Sequence, residues 1–431
     1  MPNHTTLAGL KTKNYRNIFA GDKGIDFGNL NIFIGSNGSG KSNLIHVFRF
    51  LRDSIEDYTS EERGVSSFDD AVSALGGLRM LDFKMQRPAN VEFQYKFSPT
   101  EMNLKRGVLD LHLQVPEKAK VFNNYEVLYD AEPVSGCDEP YYYYKCHDRQ
   151  PGSGVFSLFQ GEYSRSTHFE QLPSVPTNRL VLAHISRMLE ESKHPPEMTP
   201  VFKFRRELID TISKWRFYNA NDMNLSDIRN AEPKRGPGDL YLSSSGENLA
   251  LVLSNLFNAD IEFEEQIQNA AKAILPNTKR LRSSFSGRLS VTVEWYFEKL
   301  GKEPFYLNEL SDGTVRMLCW AIVLHSPYLP PLISIDEPEM GLHPAWMPVL
   351  AEWIKKASKK TQVFITTHSA DLLDHFTDCL DDIYCFCTRG DKSHFEIKRL
   401  NKDELQPKLD EGWQLGDLYR VGDPSVGGWP W

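Results

Sequence analysis

The sequence has no long apolar run, since no segment approaches the ~20 consecutive apolar residues that a membrane-spanning helix requires. The first residues, MPNHTTLAGLKTKNYRN, also lack the apolar core of a secretory signal peptide. These two absences exclude a membrane protein from the interpretation, and they predict that the chain acts in the cytoplasm.

Cysteine is scarce, and its spacing excludes two kinds of protein. No C-x-x-C pair occurs, so neither a disulfide framework nor a zinc ribbon is expected from the six cysteines: Cys137, Cys146, Cys319, Cys379, Cys385 and Cys387. The last two flank one phenylalanine in IYCFC, a pattern that is typical of a strand. We therefore expect no metal role for them.

Positive charge is also in short supply, with 49 Lys and Arg against 58 Asp and Glu and a formal net charge of −9. This balance argues against a protein that is coated by nucleic acid over its whole surface, although it leaves a local basic patch open. Long heptad runs and internal repeats are absent, so neither a coiled-coil rod nor a solenoid is expected. The 431 residues, 40% hydrophobic and 25% charged, suffice for two or three globular domains.

Residues 35–42, GSNGSGKS, fit the pattern G-x-x-x-x-G-K-[ST] of a loop whose backbone amides cradle phosphates. The apolar residues 30–34 predict a buried strand before the loop. After it, one face of a helix is predicted by the spacing of Leu44, Phe48, Leu51 and Ile55. Lys41 would reach the outer phosphates, and the Ser42 hydroxyl would complete a magnesium shell. The alternative is a Gly/Ser-rich turn before an ordinary helix.

Two apolar strands further along the chain end in residues that could act on a nucleotide. LISIDEPE at 332–339 ends in carboxylates: Asp336 would hold magnesium through water, and Glu337 could orient and deprotonate the attacking water. VFITTHS at 363–369 ends in His368, which could sense the γ-phosphate. An acidic turn after a core strand and an ordinary strand-end histidine are the alternatives.

The segment NELSDGTVRML at 308–318 places a serine and a glycine before a predicted helix. One face of that helix is apolar and consists of Met317, Leu318, Ala321 and Leu324. A helix N-terminus of this kind is a second place where an anion could bind. Because the first loop already holds phosphate, the second site suggests a phosphate that is shared across a dimer.

The rest of the chain mixes predicted strands and helices. Residues 56–77 are polar and loop-like. Strands are expected at 91–95, 108–113 and 291–297 and in YYYY at 141–144, where a base-stacking platform is the alternative. Helices are expected at 178–192, 202–214, 247–256 and 263–275, with a break at KRGPGD (234–239). Beyond residue 310, helices alternate with apolar strands, which predicts a parallel sheet with helices on its faces.

The order of these motifs is recognisable. GSNGSGKSN, LSDGT, LISIDEPEMGLHP and FITTHS resemble the ATPase heads of the RecF/SMC-like branch of ABC-type ATPases. The resemblance is to the bacterial "AAA family ATPases" that lack a long coiled coil and occur in phage-defence operons. LKTKNYRNI, YLSSSGENLALVLSNL (241–256) and the tail EGWQLGDLYRVGDPSVGG are similar to the same group. The strong motifs cover residues 7–56 and 305–376, and the middle third matches loosely.

The resemblance implies an α/β fold: a P-loop ABC-type ATPase head with a mixed or parallel sheet and an inserted α-rich lobe. Residues 1–100 and 290–431 would form the head, and residues 101–289 the strand- and helix-containing lobe. It also implies a head-to-tail homodimer that closes on two ATP molecules with Mg²⁺.

Site residues follow from the same resemblance. ATP would be bound by Gly35, Ser36, Asn37, Gly38, Ser39, Gly40, Lys41, Ser42 and Asn43. Ser311, Gly313 and Thr314 would contact the γ-phosphate held by the other subunit. Ser42 and Asp336 would hold magnesium, Glu337 would be the catalytic base, and His368 the switch histidine.

Three positions depart from the family pattern or are hard to match to it. Asp312 stands where a glycine is common in the transporter signature, which fits the RecF-like branch. His343 replaces the usual aspartate near the dimer seam. Gln86, in LDFKMQRP, is the nearest match to the magnesium-sensing glutamine.

ATP-driven closure must serve another process, and two hypotheses stay open. The first is a switch that controls a separate effector, a nuclease or toxin, in antiphage defence. The alternative is a RecF-like ATPase in DNA repair or maintenance. It would bind double-stranded DNA through two basic clusters: Lys203, Arg205 and Arg206, and Lys279, Arg280, Arg282 and Arg288.

The end of the chain favours the effector hypothesis. About sixty residues follow His368, which is too few for an added metal-nuclease domain. They also lack the spaced carboxylates of a two-metal site. A transporter motor explains less, because the chain has no membrane span and its signature and middle segment do not resemble transporter ATPases. A metabolic kinase leaves LSDGT and the histidine strand without a role.

Overall fold

The computed structural model describes residues 6–56, 59–60, 65–99, 106–133, 139–147, 150–158, 168–172, 174–190, 200–231, 233, 238–286, 290–388 and 393–427. Cys137, Arg288 and most of the expected KRGPGD break lie outside these residues. Within them, no helix is both long enough and apolar enough to cross a membrane.

The strands are numbered in chain order. They are β1 (Leu7–Lys13), β2 (Ile18–Phe19), β3 (Ile25–Asp26), β4 (Leu30–Ile34), β5 (Thr59–Ser60), β6 (Val65–Ser66), β7 (Ala89–Phe97), β8 (Gly107–Val115), β9 (Phe122–Pro133), β10 (Pro140–Cys146), β11 (Gly154–Leu158), β12 (His168–Leu172), β13 (Arg216–Asn219), β14 (Thr278–Ser286), β15 (Ser290–Phe297), β16 (Phe305–Tyr306), β17 (Leu332–Asp336), β18 (Gln362–Thr367), β19 (Ile383–Thr388) and β20 (Phe395–Arg399).

The helices are numbered in the same way. They are α1 (Lys41–Ser54), α2 (Ser67–Leu75), α3 (Val181–Glu190), α4 (Pro200–Ser213), α5 (Leu225–Asn230), α6 (Leu249–Ala259), α7 (Ile261–Ile274), α8 (Asp312–His325), α9 (Met347–Ser358), α10 (Ala370–Asp374), α11 (Lys402–Asp410) and α12 (Leu415–Arg420).

Two large sheets organise the chain. The central sheet has the strand order β13-β17-β18-β4-β19-β20-β2, and its neighbours run parallel except for β19 and β20. The outer sheet is antiparallel, with the order β12-β11-β10-β9-β8-β7-β1-β3. A smaller sheet joins β14, β15 and β16. The central sheet thus brings the carboxyl ends of β4, β17 and β18 to one edge, where ligands bind in open α/β sheets.

The central sheet lies between two hydrophobic cores. Because successive side chains of a strand point to opposite faces, Phe33 enters one core with α1 and the outer sheet, whereas Ile32 enters the other with α6 to α9. Phe364 and Ile365 divide in the same way on β18. All five residues of β4 are therefore buried, which explains why four of them are apolar.

Most predicted elements are confirmed. The strand expected at 30–34 is β4, and α1 follows the phosphate-binding loop with Leu44, Phe48 and Leu51 buried. The strands expected at 91–95, 108–113, 141–144 and 291–297 lie in β7, β8, β10 and β15. The helices expected between 178 and 275 correspond to α3, α4, α6 and α7. The parallel sheet expected beyond residue 310 is formed by β17, β18 and β19 together with β4.

The prediction that residues 56–77 form a polar loop is wrong for residues 67–75, which form α2. The Ser66 hydroxyl accepts a hydrogen bond from the Asp69 amide at 3.2 Å, and the Asp69 carboxylate accepts one from the Ser66 amide at 3.3 Å. This capping box starts the helix. Phe68, Val72 and Leu75 are buried on one face. Ser66 and Asp69, which look loop-like in sequence, form the cap, and Asp70 and Ser73 lie on the exposed face.

The described part of residues 101–289, expected as an inserted lobe, contributes to several structures. Strands β8 to β12 extend the outer sheet that β1, β3 and β7 begin. Helices α3 to α7 follow, and β13 interrupts them to pair with β17 at the edge of the central sheet. The boundaries 1–100, 101–289 and 290–431 stay a prediction.

Candidate nucleotide-binding site

The phosphate-binding loop connects β4 to α1 in the conformation that its glycines permit. Gly38 and Gly40 have positive φ values of 77° and 105°, which other residues adopt only with strain. A Cβ atom on Gly40 would also collide with the Ile18 side chain. The strand–loop–helix order is that of a phosphate cradle at a helix N-terminus, as the sequence predicts.

Lys41 lies buried at the start of α1 and folds back over this loop. Its Nζ donates hydrogen bonds to the carbonyls of Gly35 at 2.8 Å and Ser36 at 3.1 Å. Burial lowers the pKa of Lys41 to about 8, and the charges of Glu337, Asp336 and Glu339 oppose that shift. The ammonium therefore sits inside the loop with acidic groups around it, where it can exchange carbonyl contacts for phosphate oxygens.

Asp336, at the end of β17, receives hydrogen bonds from three different segments. Its Oδ2 accepts from the Ser42 hydroxyl at 3.0 Å and from the Asn219 amide at 3.1 Å, and its Oδ1 accepts from the Thr366 hydroxyl. A hydroxyl and a carboxylate held this close are oxygen donors of the kind that Mg²⁺ prefers. Ser42 and Asp336 thus fit the magnesium role that the sequence predicts for them.

Glu337 and His368 are also brought together. Glu337 has a positive φ of 52°, and its amide donates to the Thr366 carbonyl at 3.1 Å, so its side chain turns away from that of Asp336. Oε1 of Glu337 lies 3.1 Å from Nε2 of His368. Nδ1 of His368 lies 3.5 Å from Nζ of Lys41.

The protonation of this pair follows from its surroundings. Burial, together with the Lys41 charge, lowers the pKa of His368 to about 4, so its imidazole is neutral near pH 7. Its Nε2–H can then donate to Glu337, while Nδ1 faces the Lys41 ammonium. Burial and the neighbouring Asp336 raise the pKa of Glu337, which makes it a better proton acceptor. We call Lys41, Ser42, Asp336, Glu337 and His368 the phosphate-loop cluster.

The signature segment begins α8. The Ser311 hydroxyl caps the helix by accepting from the Thr314 amide at 3.2 Å, and it lies 2.8 Å from the Thr314 hydroxyl. Gly313 has no room for a side chain, because a Cβ atom there would lie 2.7 Å from the Trp346 ring. In the described part of the chain, no hydrogen bond or ion pair joins Ser311, Gly313 or Thr314 to the phosphate-loop cluster.

Arg229, which the sequence interpretation missed, supports the signature segment from α5. It donates to the Leu310 carbonyl at 2.7 Å and pairs with the Asp312 carboxylate at 2.6 Å. The arginine thereby compensates the charge of the aspartate that replaces a glycine in LSDGT. Local pattern gave no signal for this pair, because the two residues lie on different elements.

The remaining predicted loop residues take varied positions. Ser36 and Ser39 are buried, and Asn37 and Gly38 are exposed. The Gly38 carbonyl accepts from Asn17 at 3.0 Å. Asn43 contacts Arg16 and Asn17. These contacts tie the loop to residues that follow β1.

Two other expectations concern exposed positions. Gln86 is exposed in the turn between Leu81 and β7, and its magnesium-sensing role stays a prediction. His343 is also exposed; its Nδ1 accepts from the Ala345 amide at 3.1 Å.

The two basic clusters expected to contact DNA are partly occupied by internal contacts. Arg205 donates to the carbonyls of Leu182 at 2.8 Å and Ala183 at 2.7 Å. Arg282 pairs with Glu294 at 2.6 Å, and Arg280 lies 3.6 Å from Glu264. The carbonyls occupy donors of Arg205, and the carboxylates of Glu264 and Glu294 offset part of the charge that Arg280 and Arg282 offer to a phosphate backbone.

Comparison with known proteins agrees with this geometry. The profile of a family described as "AAA domain, putative AbiEii toxin, Type IV TA system" matches residues 30–374. None of the curated proteins matches the chain in sequence. Among solved structures, an SMC head bound to the C-terminal winged-helix domain of ScpA is similar at 13% identity and a TM-score of 0.52. That match covers 93% of this chain and 99% of that one.

Two further SMC heads match less well. One, with an extended coiled coil and bound to a ScpA domain derived from Pyrococcus furiosus, has 14% identity, a TM-score of 0.47 and coverage of 94% and 99%. The other, from Thermotoga maritima, has 11% identity, a TM-score of 0.41 and coverage of 92% and 99%. The first, better match supports the fold of an SMC-type ATPase head.

Proposed function

The chain belongs to the family of AAA domains described as putative AbiEii toxins of type IV toxin–antitoxin systems, and from that premise we propose that it hydrolyses ATP to switch a separate effector. Proteins of this family and of the SMC-head fold are ATPases that generally use a nucleotide and Mg²⁺. The observation that carries the proposal is the phosphate-loop cluster, in which residues at the start of α1 and at the ends of β17 and β18 converge within hydrogen-bonding distance.

Each residue of the cluster has a distinct task in this proposal. The loop amides and Lys41 bind the phosphates of ATP, and Ser42 and Asp336 hold the magnesium ion that neutralises them. Glu337 orients a water molecule and takes its proton, for which its raised pKa suits it. His368 holds the Glu337 carboxylate through the 3.1 Å contact of its Nε2 atom. Its Nδ1 atom lies near Lys41, where the histidine senses the γ-phosphate.

The signature segment supports a head-to-tail dimer as the active form. Ser311 and Thr314 lie at the N-terminus of α8, which favours an anion. Among the described residues, they make no hydrogen bond to the phosphate-loop cluster. In a head-to-tail dimer they would meet the γ-phosphate bound by the other subunit. Closing two subunits on ATP and releasing them after hydrolysis is a population switch that a partner can sense.

An effector partner, a nuclease or toxin in bacterial antiphage defence, fits this chain better than DNA. The family description names toxin–antitoxin systems. Arg205 of one basic cluster donates to backbone carbonyls, and Arg282 of the other pairs with a carboxylate, so both side chains are engaged within the fold. A RecF-like role in DNA repair or maintenance is the second candidate, since Lys203 and Lys279 add further positive charge to the two clusters.

ATP hydrolysis by the purified protein, measured with and without duplex DNA, tests both parts. We expect turnover that Lys41→Ala abolishes and that DNA leaves unchanged. A several-fold rise with DNA that disappears in Arg280→Gln/Arg282→Gln would favour the DNA role over the effector role. Turnover equal to that of Lys41→Ala would contradict the ATPase assignment.

A further inference from the structure

Glu339 is an acidic residue beside the phosphate-loop cluster that has no role in the proposed function. It follows Glu337 by two residues in DEPE. Its Oε1 atom accepts three hydrogen bonds from the last residue of β18 and the two residues after it. The donors are the Thr367 hydroxyl at 2.6 Å, the His368 amide at 3.0 Å and the Ser369 amide at 3.2 Å. One carboxylate oxygen thus holds three consecutive residues, with His368 in the middle.

The environment of Glu339 makes these bonds strong. Its other oxygen, Oε2, is buried and has no hydrogen-bond partner in the described part of the chain. Burial raises the pKa of Glu339, and the bonds from Thr367 and His368 oppose that rise. A buried carboxylate of this kind is costly unless its bonds are made, so the segment that supplies them is held to it.

The position of Glu339 links two parts of the site. The loop after β17 touches His368 twice: Glu337 contacts the imidazole, and Glu339 holds the backbone amide of the same residue. The ring of His368 can lie 3.1 Å from Glu337 only if its backbone stays in place. A shift of either loop therefore changes both contacts together.

We propose that Glu339 is a positioning residue that holds the backbone of residues 367–369 so that His368 stays aligned with Glu337. This inference rests on the proposed ATPase function for its effect on turnover. The structural part of the inference does not depend on that function: Glu339 restrains the amides of His368 and Ser369 by accepting their hydrogen bonds. Glu339 contacts neither nucleotide phosphate nor magnesium in this account.

A simpler explanation is that Glu339 only stabilises the start of α10. Acidic groups near a helix N-terminus do this generally, although α10 has only five residues and Ser369 already caps it by accepting from the Leu372 amide at 3.1 Å. A purely stabilising group would affect turnover whether or not His368 is present. A positioning group acts only through His368.

A double-mutant cycle on ATP hydrolysis separates these explanations. We expect Glu339→Ala to lower turnover about tenfold, and Glu339→Gln, which keeps an acceptor oxygen, to stay within about threefold of the unmodified protein. In the His368→Ala background, adding Glu339→Ala should change turnover less than about twofold. An equal loss with and without His368, or an unchanged Glu339→Ala variant, would overturn the proposal.

Amide hydrogen exchange provides a readout that needs no hydrolysis. In Glu339→Ala, the amides of His368 and Ser369 should exchange about tenfold faster, whereas Glu352→Ala, at an exposed glutamate of α9, should change nothing in that segment. Unchanged exchange in Glu339→Ala would overturn the positioning role. If Glu339→Ala does not fold, Thr367→Val removes one donor from the same oxygen. We expect a smaller acceleration there, and no acceleration would count against the proposal.

The two measurements keep the hypotheses apart. If the unmodified protein shows no turnover above that of Lys41→Ala, the proposed ATPase function is refuted. Faster amide exchange in Glu339→Ala would still support the hydrogen bonds that hold residues 367–369. Turnover in the unmodified protein combined with additive losses in the cycle supports the ATPase and refutes the action of Glu339 through His368.

Discussion

The phosphate-loop cluster and the signature segment differ in how their residues are held. The cluster is assembled from strand ends of a buried sheet, and its side chains contact each other: Ser42 with Asp336, and Glu337 with His368. The signature segment is a helix N-terminus whose polar side chains bond mainly within the segment and to Arg229. The phosphate-loop cluster resembles a nearly complete nucleotide site. The signature segment offers hydrogen-bond donors, but among the described residues it has no nucleotide site beside it.

This difference explains why one subunit is not expected to suffice. The groups proposed to bind phosphate and activate water lie in the phosphate-loop cluster, but the anion-favouring end of α8 is bonded to none of them in the described part of the chain. A second subunit placed head to tail would bring the two regions together.

Removal of the proposed base should have the largest effect. In Glu337→Gln, turnover should fall about 100-fold or more, because the amide cannot take the proton from water. ATP binding should persist, since Lys41 and Ser42 are untouched, and the dimer should accumulate in its ATP-bound state. Turnover by purified protein and size-exclusion chromatography with ATP measure both effects. A variant that hydrolyses ATP at the rate of the unmodified protein shows that Glu337 is not the base.

A substitution of Asn219 tests whether its side chain orients Asp336, the proposed magnesium ligand. Because its amide donates to Asp336 at 3.1 Å, Asn219→Ala should leave that carboxylate less well oriented. We expect about a tenfold higher magnesium concentration for half-maximal turnover. Asn221→Ala, at an exposed position two residues away, is the matched control. Identical magnesium titrations for both variants would remove Asn219 from the site.

The smallest expected effect is a pH dependence of ATP binding. Lys41 has a pKa of about 8 in the free protein, so it loses its proton as the pH rises through 8. Phosphate favours the charged ammonium, and binding above pH 8 must therefore take up a proton. The affinity for ATP should weaken about threefold between pH 7.5 and 8.5. Calorimetry at pH 8.5 in two buffers of different ionisation enthalpy measures the uptake, and equal heats would contradict it.

The sequence predicted the parts of the site that depend on local pattern. The run LNIFI, the glycines of the loop and the helical spacing after it lie next to each other in the chain, so β4, the loop and α1 could be placed together. Asp336, Glu337 and His368 were found because each stands at the end of an apolar strand. The structure brings them to the same edge of the sheet, as parallel strands require.

Residues that reach the site only through the tertiary pairing of distant elements could not be found from local sequence pattern. Asn219 reaches Asp336 because β13 pairs in parallel with β17, and 117 residues separate the two partners. Arg229 meets Asp312 only when α5 packs near α8. The helix α2 was missed for a different reason, because its capping serine and aspartate resemble a loop. Local pattern therefore predicted the candidate site residues, and tertiary packing supplies the groups that contact them.

The most direct test of the shared site is to mix two inactive variants. Lys41→Ala disables the phosphate-loop cluster, and Ser311→Arg disables the signature segment; both should be inactive alone and folded by circular dichroism. In a mixed head-to-tail dimer, one site carries both changes and the other carries neither. The account predicts that an equal mixture regains about a quarter of the unmodified turnover, since half of the dimers hold one intact site. A mixture as inactive as its components would contradict the shared site.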